Sequence, residues 1–196
     1  SNNVLSTTVG ANSFNAAALG SIVGTYSIAS ATDATQNFGA TIMGSLNSVE
    51  SATSDSSYAG VANSIVGLGN VANNTNGTLI FGAGNEVTNS ITDISVPMSS
   101  SIKSAKDLQT RLKTAIKSSN SGGSTMVMGG GNKADYTQLS SVLGVNNTLT
   151  GTSDDISTYN YISGFNNTAS NVDNVTVIGR NRTVTGADSS IVIGKA

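Results

Sequence analysis

Cysteine, histidine and tryptophan are absent from this chain, and proline occurs once in 196 residues. The missing cysteine removes disulfides, thiolate chemistry and cysteine-based zinc sites together. Without histidine or cysteine the usual nucleophile–base pairs cannot be assembled. Charge is scarce as well: Asp, Glu, Lys and Arg make up 10% of the chain, against about 25% in an average domain. The net charge of −2 provides no general attraction for nucleic acid or an anionic membrane. No apolar run approaches the length of about 20 residues that spans a bilayer, and no secretory signal opens the chain at "SNNVLSTTVG".

What fills the space is Ser, Thr, Asn and 22 glycines. Ten of those glycines follow an apolar pair or its near equivalent: Gly10, Gly24, Gly44, Gly67, Gly82, Gly129, Gly144, Gly164, Gly179 and Gly194. Their successive intervals are 14, 20, 23, 15, 47, 15, 20, 15 and 15. Five of the nine are 14 or 15, and the others are that length plus an insertion, so the chain is an internal repeat.

The columns around the glycine agree. Two places before it stand Ile22, Ile42, Ile65, Ile80, Val127, Val142, Ile162, Val177 and Val192, with Thr8 departing. One place before are Val9, Val23, Met43, Val66, Phe81, Met128, Leu143, Ile178 and Ile193, with Ser163 the exception. Three places after come Asn or Ser, and Arg182 in the ninth copy; five places after come Ala, Val or Leu, with Asn15 in the first.

A unit of 14 or 15 residues is too short for a helical hairpin and fits one coil of a β-solenoid stacked by parallel pairing. Glycine is expected to supply positive φ at the first bend, and the asparagine three places on to tolerate left-handed geometry at the next. The fold class is therefore all-β, a parallel β-roll of about ten coils with one helical insertion.

Adjacent strand residues point to opposite faces. The two positions before the glycine are both apolar, so this strand needs cover on both sides. One face fills the coil interior together with the small residue five places after the glycine. The other would leave an apolar stripe that a soluble monomer avoids, so a homo-oligomer packed through this strand is expected. The strand residues assigned to that core and oligomer role are Ile42, Ile65, Ile80, Val127, Val142, Ile162, Val177 and Val192.

The repeats "SSIVIGKA", "GTLIFGAGNEVTNS" and "NSIVGLGNVANN" resemble the S-V-A-I-G-x-x-[SN]-x-A units of the YadA-like heads of trimeric autotransporter adhesins, surface proteins of Gram-negative bacteria. The likeness covers most of positions 1–90 and 124–196. It implies a left-handed roll, a homotrimer and a place on the cell surface outside the outer membrane. It also implies non-catalytic attachment to a protein or glycan receptor on host cells, matrix or other bacteria. A structural spacer that displays another binding domain is the alternative of a different class. The chain departs from the simplest family pattern through insertions around residues 30–38, 50–62 and 150–160. No stalk, neck or anchor follows, and the chain stops just after a coil's first turn at Gly194, so more roll or a neck is expected beyond it.

The largest insertion separates N-terminal coils, 1–90, from C-terminal coils, 124–196. Within 91–123, "SVPMSSSIKSAKDLQTRLKTAIKSSNSGG" changes to a helical period. Ile102, Ala105, Leu108, Leu112, Ala115 and Ile116 share one face, and Lys103, Lys106, Asp107, Arg111, Lys113 and Lys117 lie opposite. Pro97 and the serines at 99–101 suit the start and Gly122-Gly123 the end. The quoted stretch, 95–123, holds five of the nine basic residues and one acid, leaving four basic and ten acidic residues elsewhere. Lys103, Lys106, Arg111, Lys113 and Lys117 are thus the candidate receptor contacts of a projecting arm for an anionic partner. The plainer expectation is a helix that packs its apolar face on the roll and solvates its lysines.

No catalytic residue, metal ligand or cofactor is assigned. Asp154-Asp155 is the one adjacent acidic pair and sits in a polar insertion. Solenoid acyltransferases use a hexapeptide period and commonly a histidine base, and calcium-binding solenoids repeat G-G-x-G-x-D; none of these occurs here. "GGGNKAD" lacks the G-K-[ST] of a phosphate loop. Sequons such as Asn146-Asn147-Thr148 follow from a repeat rich in Asn and Thr.

Overall fold

The structure is a computed structural model that describes residues 5–30, 36–51, 60–91, 94, 104–119 and 124–196. Within them the chain is a parallel β-solenoid with one helix. Ten strands form the first sheet: Thr7–Val9, Ser21–Val23, Thr41–Ser45, Ser64–Leu68, Leu79–Ala83, Met126–Gly130, Ser141–Val145, Tyr161–Phe165, Thr176–Arg180 and Ile191–Lys195, each paired with the next in chain order. Nine shorter strands form the second: Phe14–Asn15, Ile28–Ala29, Ser48–Glu50, Val71–Asn73, Glu86–Thr88, Lys133–Asp135, Thr148–Thr150, Thr168–Ser170 and Thr183–Thr185. A third small sheet pairs Thr137–Gln138 with Ser157–Thr158.

The repeat glycines set the register. Gly44 lies beside Gly67, Gly67 beside Gly82, Gly129 beside Gly144 and so on to Gly194. The 47-residue interval leaves this register intact, because Gly82 pairs directly with Gly129. The register is the same on either side of every insertion.

Glycine is obligatory in this column for two reasons. Its φ lies between +109° and +151° throughout, a region that L-residues rarely enter. In addition, a Cβ on any of the first nine would sit 1.7–2.0 Å from the carbonyl oxygen of the next glycine in the stack. The coils are in backbone contact there, and no side chain fits between them.

The core is a column down the middle of the coils. The residues two before the glycine, from Ile22 to Val177, and those five after it, from Ala29 to Ala169, are nearly all fully buried and form one continuous cluster, with Val184 and Val192 partly buried at its end. Burying one Val, Leu or Ile contributes about 1.5–3 kcal/mol. The small Ala in alternate positions of the second sheet lets the two sheets approach across a narrow interior.

The asparagine column does something other than make a left-handed bend. The left-handed residue is one place earlier: Asn12, Tyr26, Leu46, Gly69, Gly84, Gly131, Asn146, Asn166 and Asn181 all have φ between +52° and +65°. The asparagines three places after the glycine, Asn47, Asn70, Asn85, Asn132, Asn147 and Asn167, point inward and are buried. Each donates its Nδ2 to the Oδ1 of the preceding asparagine at 2.9–3.1 Å, from Asn70 onward. Each also donates Nδ2 to the glycine carbonyl of the following coil at 2.7–2.9 Å. A buried amide needs all its partners, and stacking identical amides at one register supplies them.

Other side chains finish the ladder at its ends. Ser13 and Ser27 donate Oγ to the carbonyls of Gly24 and Gly44. Arg182 donates Nε to the carbonyl of Gly194 and Nη2 to that of Ile193.

Candidate interaction surfaces

Two surfaces stand out from the polar exterior. The first is the outer face of the ten-stranded sheet. Because Ile42, Ile65, Ile80, Val127, Val142, Ile162 and Val177 point inward and are fully buried, they serve the interior of one chain. Their neighbours one place on carry the outward face: Val9, Val23, Met43, Phe81, Met128, Ile178 and Ile193 are 39–64% exposed, with Val66 and Leu143 half-buried among them. Since these strands pair in register, the outward residues form one row along the stack, apolar except at Ser163 between Leu143 and Ile178. Leu68, Val145 and Phe165, two places further on, widen it.

The corner beside this row has its own apolar residues near the N-terminal end. Tyr26 and Leu46 are each 59% exposed although their φ values are +53° and +58°. Phe14 and Ile28 lie exposed on the adjoining second sheet.

The second surface is the helix α1, Ala105–Ser118. Its N-cap is Ser104, whose side chain accepts from the backbone N–H of Asp107 at 3.2 Å. Asp107 in the first turn and Lys117 in the last complement the helix dipole. Residues 97–101 and 122–123, where the sequence places the helix boundaries, lie outside the described residues, as do Ile102 and Lys103.

The apolar face of α1 rests on the roll. Leu108, Leu112, Ala115 and Ile116 pack against a second cluster of Ala18, Phe38, Val61 and Ile94, with Leu19 and Ala62. The cationic face then points outward: Lys106, Arg111, Lys113 and Lys117 are exposed. Asp107 accepts from Arg111 Nε at 3.0 Å, one turn away. Lys106, Lys113 and Lys117 share a stripe with Gln109, Thr110 and Thr114 around an open depression of about 320 Å³.

The remaining sequence features take no part in either surface. Asp154 and Asp155 are exposed, and Asp155 closes a local turn by donating its N–H to Thr152 Oγ1. Gly129 and Gly130 end a sheet strand, and Lys133–Asp135 form the next. The insertion residues 31–35 and 52–59 lie outside the described residues. Among the described residues no three His, Cys, Asp or Glu side chains gather as a metal site, and no helix is long and apolar enough to cross a membrane. The outward apolar row was legible as a column but not as a face. Which of two adjacent apolar columns points outward depends on which way the chain turns at the glycine.

Compared with protein-family models, curated proteins and solved structures, the chain finds no match in any of the three.

Proposed function

We propose that this chain is the head of a trimeric bacterial surface adhesin, a rigid non-catalytic stack displayed outside the outer membrane. The observation that carries the proposal is the outward apolar row from Val9 to Ile193 on the ten-stranded sheet. An exposed apolar strip of that length is unfavourable in water, and covering it with copies of the same chain is the economical solution. Three copies, with the left-handed sense of the coils, follow the resemblance of the repeat units to YadA-like heads. Attachment is then multivalent: three identical chains, and many fibres per cell, convert weak contacts into firm adhesion.

The purified chain tests this directly. Its molar mass by sedimentation equilibrium is expected to be three times the monomer mass of 19.6 kDa. Beads coated with it are expected to adhere to cultured epithelial cells or to a bacterial lawn. A folded monomer removes the trimer. An intact trimer that adheres to neither surface leaves a spacer role instead.

A further inference from the structure

We infer that the receptor class of this head is a linear anionic polysaccharide, held by the lysine stripe of α1; the inference rests on the adhesion reading above. Docking of Leu108, Leu112, Ala115 and Ile116 onto the roll fixes the helix and determines which side faces solvent. That side presents Lys106, Lys113 and Lys117 over about 16 Å of helix axis, at about 1.5 Å per residue. Among the described residues no ion pair engages these three ammonium groups, whereas Arg111 is held by Asp107.

Three features select the partner. Outside α1 the chain carries ten acids and five basic residues, so anions are repelled elsewhere and gather at this stripe. Among the described residues the stripe is lined by Lys, Gln and Thr with no aromatic or apolar side chain, so a protein partner finds no buried anchor there of the kind that dominates protein interfaces. Nucleic acid likewise finds no ring on which a base could stack. A flexible chain of sugars with repeated sulfate or carboxylate groups needs neither. Point charges on mobile stems suit it, and Gln109 between the lysines offers its amide. The Thr110 and Thr114 hydroxyls, which donate to the carbonyls of Lys106 and Thr110, keep lone pairs to accept from sugar hydroxyls. Presentation on each copy of an oligomer repeats the stripe and multiplies the affinity.

The test uses the full chain, immobilised heparin, neutral dextran and single-stranded DNA. Binding to heparin but not dextran is expected, weakening as salt rises. K106Q/K113Q/K117Q is expected to lose about tenfold in affinity, from the modest contribution of each exposed ion pair. K133Q/R180Q/K195Q removes the same three charges from the roll and is expected to bind as the parent does. Equal heparin binding by the stripe variant, or none by the parent, overturns the inference. Lysine-dependent binding of DNA as tight as that of heparin overturns it in favour of nucleic acid. Adhesion assays separate this from the reading beneath it. If cells stripped of acidic glycans still hold the parent and the stripe variant equally, the receptor class is wrong and adhesion stands. If the parent binds heparin through the stripe but adheres to no cell, adhesion is wrong and the stripe stands.

Discussion

Asn167 donates both its backbone N–H and its side-chain Nδ2 to a single oxygen, Oδ1 of Asn147, at 3.1 and 2.9 Å. Asn147 does the same to Asn132, so each amide in the column is donor to one neighbour and acceptor for the next. Asn147→Ala leaves the N–H of Asn167 and the carbonyl of Gly164 short of a buried partner. A loss of about 3 kcal/mol is expected, since each orphaned buried group costs about 1–3 kcal/mol. Urea unfolding measures it. Asn166→Gly, at the exposed left-handed residue just before Asn167, removes an amide without straining the backbone and is the comparison; an equal loss there would sink the ladder argument.

Gly144→Ala brings a Cβ to 2.0 Å from the carbonyl oxygen of Gly164 and forces alanine to φ +115°. Both effects act on packed backbone that cannot move without separating two coils. We expect destabilisation of about 3 kcal/mol or more in thermal unfolding. Gly69→Asn, with φ +64° and open space around its Cβ, should change the midpoint little.

Leu46 sits in the left-handed region at φ +58°, in a column that holds Gly or Asn in every other coil but one, where it is Tyr26. Left-handed geometry costs a residue such as leucine about 1–2 kcal/mol, and asparagine tolerates it better. Leu46→Asn should therefore raise the stability of the isolated chain by about 1 kcal/mol. If it lowers stability, the exposed leucine makes a contact worth more than its strain, which would place this corner inside an interface between copies.

The outward row makes its own prediction. Phe81→Glu with Met128→Glu places charge on two neighbouring strands, at partners in register, while the interior residues beside them are untouched. The parallel β signal in circular dichroism should persist and the oligomer should dissociate to monomers by light scattering. An unchanged oligomer would move the interface away from this face.

Docking of α1 is separable from the roll. Leu112→Ala with Leu108→Ala removes two of the three large side chains that α1 packs on the second cluster. A short helix without tertiary packing is marginal in water, so helical signal should fall while the cooperative unfolding of the roll stays within about 1 kcal/mol of the parent. Loss of the whole fold would show the helix to be integral to the stack.

The repeat was legible because its constraints are local and recur. A glycine that must let the next coil's backbone pass, and a β-branched residue before it, recur wherever a coil does, so counting intervals recovers the stack. The asparagine at the third place was legible as a column and misread as a turn residue. Its role depends on an identical amide about 5 Å above and below, which no single coil contains. The lysines of α1 were visible as a cationic face, but the cluster of Ala18, Phe38, Val61 and Ile94 that fixes that face outward is built from three separate coils and the insertion itself.

The sequence by itself determined the solenoid, its register and its glycine column, because short-range sterics and periodic burial leave one way to stack such units. Only the tertiary structure decided which apolar column faces water, what the asparagines bond to and where the helix lies. Each of these is a relation between residues of different coils, 12 or more positions apart even in the asparagine ladder, fixed by packing rather than by any local preference.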